Sequence, residues 1–166
     1  HGIALLRAPR TFADIARVGP INRQAQIVDG FLRDPAATAV VAVALAEEMP
    51  VSETLDLERR LHDELGIELD RVYVNALLPD RLKAAESHAI EAAVAGDAGA
   101  SPSPSAHAAL DASLAAHQTV RAQRSQLARL RRGLTAQATS LPHLLTPDVG
   151  REGLEQLATR LGRDLR

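Results

Sequence analysis

Thr38–Leu78 reads TAVVAVALAEEMPVSETLDLERRLHDELGIELDRVYVNALL, and its two ends decide the fold. Thr38–Ala46 is short, uninterrupted and rich in Val, the pattern of a strand covered on both faces, as in a parallel sheet. Arg71–Leu78 is a second strand of this kind, carrying one polar residue, Asn75. The acidic turn Glu47-Glu48-Met49-Pro50 leaves the first strand. Ser52 then offers an N-cap, with Glu53 and Asp56 in the first helical turn. Leu57, Leu61 and Leu65 recur as a buried stripe with Leu55 beside it, and Gly66 stands where a helix closes. Strand, helix and strand in this order predict a parallel pair joined by a helical crossover.

The segments on either side extend the pattern. Upstream, Gly2–Leu6 is a short apolar piece ended by Arg7-Ala8-Pro9-Arg10, and Thr11 caps a helix bearing Phe12, Ile15 and Ala16. Gly19-Pro20 interrupts that helix. Ile21, Ala25, Val28 and Leu32 share one face of a second, which Asp34-Pro35 stops. Downstream come an Ala-rich helix, Arg81–Ala95, holding Lys83, then a flexible loop of small residues and Ser-Pro steps over 96–105. A long helix, Ala106–Arg132, is closed by Gly133. Ala138–Leu145 is a third strand. Pro142 cannot donate to a ladder, so this is an edge strand or one that breaks near Pro142. A last helix spans Arg151–Leu161. The predicted order is α-α-β-α-β-α-α-β-α, one α/β domain over 1–166 with helices flanking a parallel sheet. Three strands are few for a free-standing sheet of this class. With His1 in place of Met, they lead to the expectation that further strands lie upstream.

Composition narrows the function. The chain has 166 residues, 46% of them hydrophobic, enough for one domain with a real core. A net charge of −2 supplies no field for capturing nucleic acid. No apolar run approaches the ~20 residues of a membrane helix. The absence of Cys excludes disulfides, thiolate zinc sites and Cys catalysis within the chain, and fits a reducing compartment. The aromatics are Phe12, Phe31 and Tyr73, so Ala, Leu, Val and Ile must fill the core. Neither a phosphate loop ending in Gly-Lys-Ser/Thr nor a GxSxG elbow occurs, and Lys83 is the only Lys. The six His have no helical i, i+4 spacing. The Arg residues at 121, 124, 129, 131 and 132 read as a solvated helix face near a C-terminus.

In parallel sheets ligands sit beyond the carboxyl ends of the strands. Three polar-bearing segments fall there: Glu47-Glu48, Asn75 and Pro142–Asp148. The paired acids suit a general base or a nucleotide-side group, although pattern alone favours solvated loop residues. Asn75 either bonds a backbone group at the strand end or faces a ligand. A carboxamide can both donate to and accept from an adenine edge.

Val40–Pro79 also resembles the anion-transporting ATPases, the ArsA-like family that includes the arsenite-pump ATPase and the targeting ATPase for tail-anchored membrane proteins. The matching pieces are Ala46-Glu47, Glu53-Thr54 and Val74-Asn75-Ala76-Leu77-Leu78-Pro79. His1–Leu6 resembles the continuation of that family's second switch motif. Leu141-Pro142 through Asp148-Val149, then Gly153, Leu154 and Leu157, is similar to its terminal stretch. The resemblance implies the C-terminal portion of a deviant P-loop NTPase. Such an enzyme is cytoplasmic and dimeric, with itself or a paralogue, and couples ATP and Mg2+ to conformational change for a transported or delivered client. That client would be a membrane protein or transporter. On this resemblance Asn75 recognises adenine, Pro142 and Asp148 belong to the loop against the base, and Glu47 and His1 lie at the interface or switch. The phosphate-binding Lys and the Mg2+ ligands would lie upstream, so these 166 residues alone would be inactive. The alternative is a non-catalytic interaction or dimerisation module from a degenerate ATPase half. A plasmid-partitioning or division-site ATPase ranks lower, because no basic tail or patch is present. Two departures stand out. Without Cys, the zinc clasp of some members has no ligands here, and Met49 is the only Met where targeting members have Met-rich client grooves.

Overall fold

The computed structural model describes residues 2–95, 103–145 and 149–164. In chain order the elements are α1 (Gly2–Ala16), α2 (Pro20–Arg33), β1 (Val40–Leu45), α3 (Glu48–Arg60), β2 (Leu69–Leu77), α4 (Ala84–Ala95), α5 (Pro104–Gly133), β3 (Gln137–Pro142) and α6 (Arg151–Asp164). One π turn, Leu61–Leu65, continues α3. The strands form one parallel sheet in the order β1-β2-β3, flanked by helices. The order of helices and strands is the one predicted, and β3 is an edge strand ending at Pro142.

The core lies on one face of the sheet. Ala44 of β1, Ala46 just beyond it, and Val72 and Val74 of β2 form one buried cluster with Ile3 of α1, Val51 of α3, Leu61 and Leu65 of the π turn, and Leu130 of α5. Small side chains on β1 let the helices approach closely, so aliphatic residues fill the interior. Phe12 and Phe31 are both exposed. The opposite face of β1 differs from the expectation. Val41, Val43 and Leu45 alternate with the buried alanines, and no described element covers them; Val43 is 69% exposed. At the other edge, Thr139 and Leu141 of β3 are buried, and α6 contacts that strand.

Several boundaries differ from the sequence reading. Pro9 does not end a segment; it sits inside α1. Burial of Ile3 and Ala13 holds α1 together across the missing donor. The Asn22 side chain, which donates to the Ala13 carbonyl at 2.8 Å, ties α2 alongside. Ser52 is not an N-cap. The N-cap of α3 is Glu47, and the Ser52 hydroxyl donates back to the Glu48 carbonyl at 2.8 Å. Lys83 precedes α4, and its backbone carbonyl accepts the N–H groups of Glu86 and Ser87. The 96–105 loop falls largely outside the described residues, and its last two residues, Pro104 and Ser105, are already helical in α5, with Ser103 as the N-cap. Gly66 closes the π turn as expected, at φ 64°. Gly133 is the last residue of α5, and a Cβ there would meet Leu55 Cδ2 of α3 at 2.8 Å.

Candidate functional site

Parallel pairing brings the carboxyl ends of all three strands to one edge. Leu45 pairs with Asn75, and Leu77 pairs with Pro142. Glu47, Asn75 and Pro142 therefore share this edge, although they are far apart in the chain. His1 and Asp148 lie outside the described residues. Glu47 is exposed, and its side chain caps nothing on α3. Thr54, from the Glu53-Thr54 pair, is buried and donates to the Pro50 carbonyl at 2.7 Å, so its hydroxyl is spent on the helix.

Asn75 follows fully buried Val74 but is itself exposed. No described residue hydrogen-bonds its amide. The first of its two sequence readings, a strand-end amide bonded to backbone, is not what the structure has. The cost of burying an unpaired amide does not arise either.

The backbone just beyond Asn75 is irregular. Val74 pairs with Ser140 and Leu77 with Pro142, so β2 carries one residue more than β3 across this interval. Ala76 has φ 57°, a left-handed conformation rare for a residue with a side chain. The Gln123 side chain on α5 grips both sides of this point. Its Nε2 donates to the Ala76 carbonyl at 3.2 Å, and its Oε1 accepts the Leu78 N–H at 2.9 Å. The His143 N–H donates to the Leu77 carbonyl at 2.9 Å, joining the two strand ends. Sequence reasoning missed Gln123, since a single Gln on a polar helix carries no periodic or motif signal.

Three hollows open around this edge. One of about 730 Å³ lies between the end of β3 and α6, with Leu77, Pro79, Pro142, His143, Arg151 and Arg160 in its wall. Asn75 and Glu47 do not line it. A mostly apolar hollow of about 350 Å³ lies between Leu78–Leu82 and α5, lined in part by His117, Val120 and Leu145. A third, polar one of about 650 Å³ holds Lys83, Glu91 and Arg121 among others. Asp80 pairs with Arg124 at 2.5 Å beside it.

The groups with resolved electrostatic shifts lie at the opposite edge, where the chain enters β2. A hydrogen bond donated by the His62 ring to the Glu68 carboxylate raises the pKa of His62, helped by that carboxylate's charge. Arg60 holds Glu64 below the usual carboxylate range, chiefly through a side-chain hydrogen bond. Among the described residues, no group of three or more His, Asp or Glu is placed to hold a metal ion. No helix among them is long and apolar enough to cross a membrane.

A three-stranded parallel sheet flanked by helices, with its loops gathered at the carboxyl edge, is compatible with part of a P-loop NTPase-like fold. The family model for anion-transporting ATPases matches residues 12–95, just over half of the chain, and the chain belongs to that family. The match includes Glu47 and Asn75 and ends before Pro142. No curated protein matches the chain.

Proposed function

We propose that this chain forms the base side of an ATP site in a dimeric, cytoplasmic ATPase that couples nucleotide state to movement of a client, a membrane protein or transporter. Asn75 carries the reading. It is an exposed, unbonded carboxamide at the carboxyl end of the central strand, within the family match. A carboxamide offers a donor and an acceptor side by side, which suits the amino group and ring nitrogen of adenine. Pro142 gives an apolar surface on the neighbouring strand end, and Asp148 would follow in the same loop. Glu47 and His1 would face the switch or the second subunit, whether a copy of this chain or a paralogue.

These residues suit the base of ATP but not its phosphates or Mg2+. The chain has no Gly-Lys-Ser/Thr loop, and the described residues hold no metal cluster. Phosphate binding, Mg2+ and hydrolysis would then fall to residues other than those of this chain. In the intact protein, Asn75→Ala should weaken ATP binding about tenfold, the size of a well-placed hydrogen-bond pair, with the melting temperature unchanged. Unchanged affinity, measured by equilibrium binding, would overturn the adenine role.

A second reading, a non-catalytic interaction or dimerisation module, draws on the uncovered apolar surface of α1, α2 and β1. The two readings part on one measurement. Absence of nucleotide binding at millimolar ATP by the intact protein would favour the module.

A further inference from the structure

We propose that Gln123 is a positioning residue for the base end of the site, holding the turn at Ala76 that sets the direction of Asn75. This rests on the reading of Asn75 as the base-binding amide. Up to Val74, β2 alternates normally, with Val72 and Val74 buried against the helices and Asn75 on the other face. Continued alternation would turn Leu77 outward. Instead, the extra residue lets Leu77 return to the core face and pair with Pro142, where it packs against the buried cluster. An insertion of this kind re-aims the side chains on either side of it. Ala76 takes it up in a left-handed conformation that its Cβ disfavours, so something must hold it there.

Gln123 meets that need. The irregular pairing frees the Ala76 carbonyl and the Leu78 N–H, and one carboxamide takes both. A carboxamide donates to the carbonyl through its nitrogen and accepts from the N–H through its oxygen, so the two bonds come from two adjacent atoms of one planar group. A Glu could accept from Leu78 but would set its carboxylate against the Ala76 carbonyl. The next residue on α5, Arg124, pairs with Asp80. The helix thus grips the chain leaving β2 at two successive points, and Asn75 is aimed by a residue 48 positions later in the chain.

The test compares ATP with inorganic triphosphate, which lacks the base and its sugar, in equilibrium binding to the intact protein, so that a change in the ratio of the two affinities reads the base end of the site. The variants are Asn75→Ala, Gln123→Ala, Gln123→Glu, and Gln123→Ala combined with Ala76→Gly. The expected result is that Asn75→Ala, Gln123→Ala and Gln123→Glu each lower the preference for ATP over triphosphate about tenfold. The double variant should recover part of it, because glycine adopts the left-handed conformation without a clamp. If Asn75→Ala lowers the preference while Gln123→Ala keeps it, the positioning role is overturned and the base reading stands. Parallel loss of ATP and triphosphate binding in Gln123→Ala, with the preference intact, also overturns it, because Gln123 is then merely structural. If Asn75→Ala leaves the preference unchanged, the base reading fails and the positioning role fails with it. Should Gln123→Ala fold poorly, Gln123→Glu and the double variant decide the matter.

Discussion

Single side chains do much of the joining between distant segments of this chain. Glu58 of α3 is an example. Its carboxylate accepts the backbone N–H of Thr135 at 3.1 Å and of Ala136 at 2.7 Å, just before β3 begins. Neither bond is suggested by any spacing in the sequence, since the partners are 77 and 78 residues apart. Glu58→Ala should lower the unfolding free energy by about 1–2 kcal/mol in urea denaturation, the cost of leaving charge-assisted backbone bonds unmade. His62 and Glu68 form another pair. The His62 Nδ1 lies 2.7 Å from Glu68 Oε1, which raises the pKa of His62 in the folded protein. The contribution of this pair is therefore fully present below the unfolded pKa of His62 and is lost as pH rises through the folded one. In an NMR titration, Glu68→Gln should move the His62 midpoint down toward the ordinary imidazole value; an unmoved midpoint would contradict the pairing.

Among the elements, the α3–π turn–β2 connection has the clearest local logic. Leu61 and Leu65 are almost wholly buried, and the Gly66 and Ile67 N–H groups donate to the His62 and Leu61 carbonyls as the chain turns. Gly66 achieves this at positive φ, and a Cβ there would meet nothing nearer than 3.9 Å, so conformation rather than space demands glycine. Gly66→Ala should destabilise by about 1 kcal/mol. Gly30, inside α2 with open space around it, should respond in the other direction: Gly30→Ala should stabilise by about 0.5–1 kcal/mol through helix propensity. Parallel denaturation curves of the two variants test both signs. Leu61→Ala, at a fully buried position, should cost about 2–5 kcal/mol by the same measurement.

The whole molecule has one well-covered face and one open one. Val41, Val43 and Leu45 form an apolar strip on β1, whose outer backbone edge pairs with no described strand. Phe12, Ile15, Val18, Ile21 and Phe31 add an apolar surface on and between α1 and α2. An open strand edge beside exposed apolar side chains favours self-association. Val43→Lys in the 166-residue chain should therefore reduce association in sedimentation or light scattering. It should change unfolding free energy by no more than about 0.5 kcal/mol, because the side chain loses little burial. A larger loss of stability would mean that this face is covered after all.

Periodicity and punctuation were enough for the class of fold. Val-rich runs of strand length, Leu at helical spacing and breakers at Gly19-Pro20, Asp34-Pro35 and Gly66 are local properties, set by side-chain alternation and backbone sterics. They yield the element order, the parallel sheet and the edge position of β3. The pieces around Glu47 and Asn75 also carried the family, which the match over 12–95 bears out. The tertiary structure alone decided what depends on contacts between distant segments. Pro9 stays helical because Ile3 and Ala13 are buried, and β1 turns Ala42 and Ala44 to the core while leaving Val41 and Val43 open. Asn75 stands free beside a left-handed Ala76 that Gln123 grips from another helix. Such features follow from which surfaces meet after the chain has folded, and a local pattern holds no information about a partner 48 residues away.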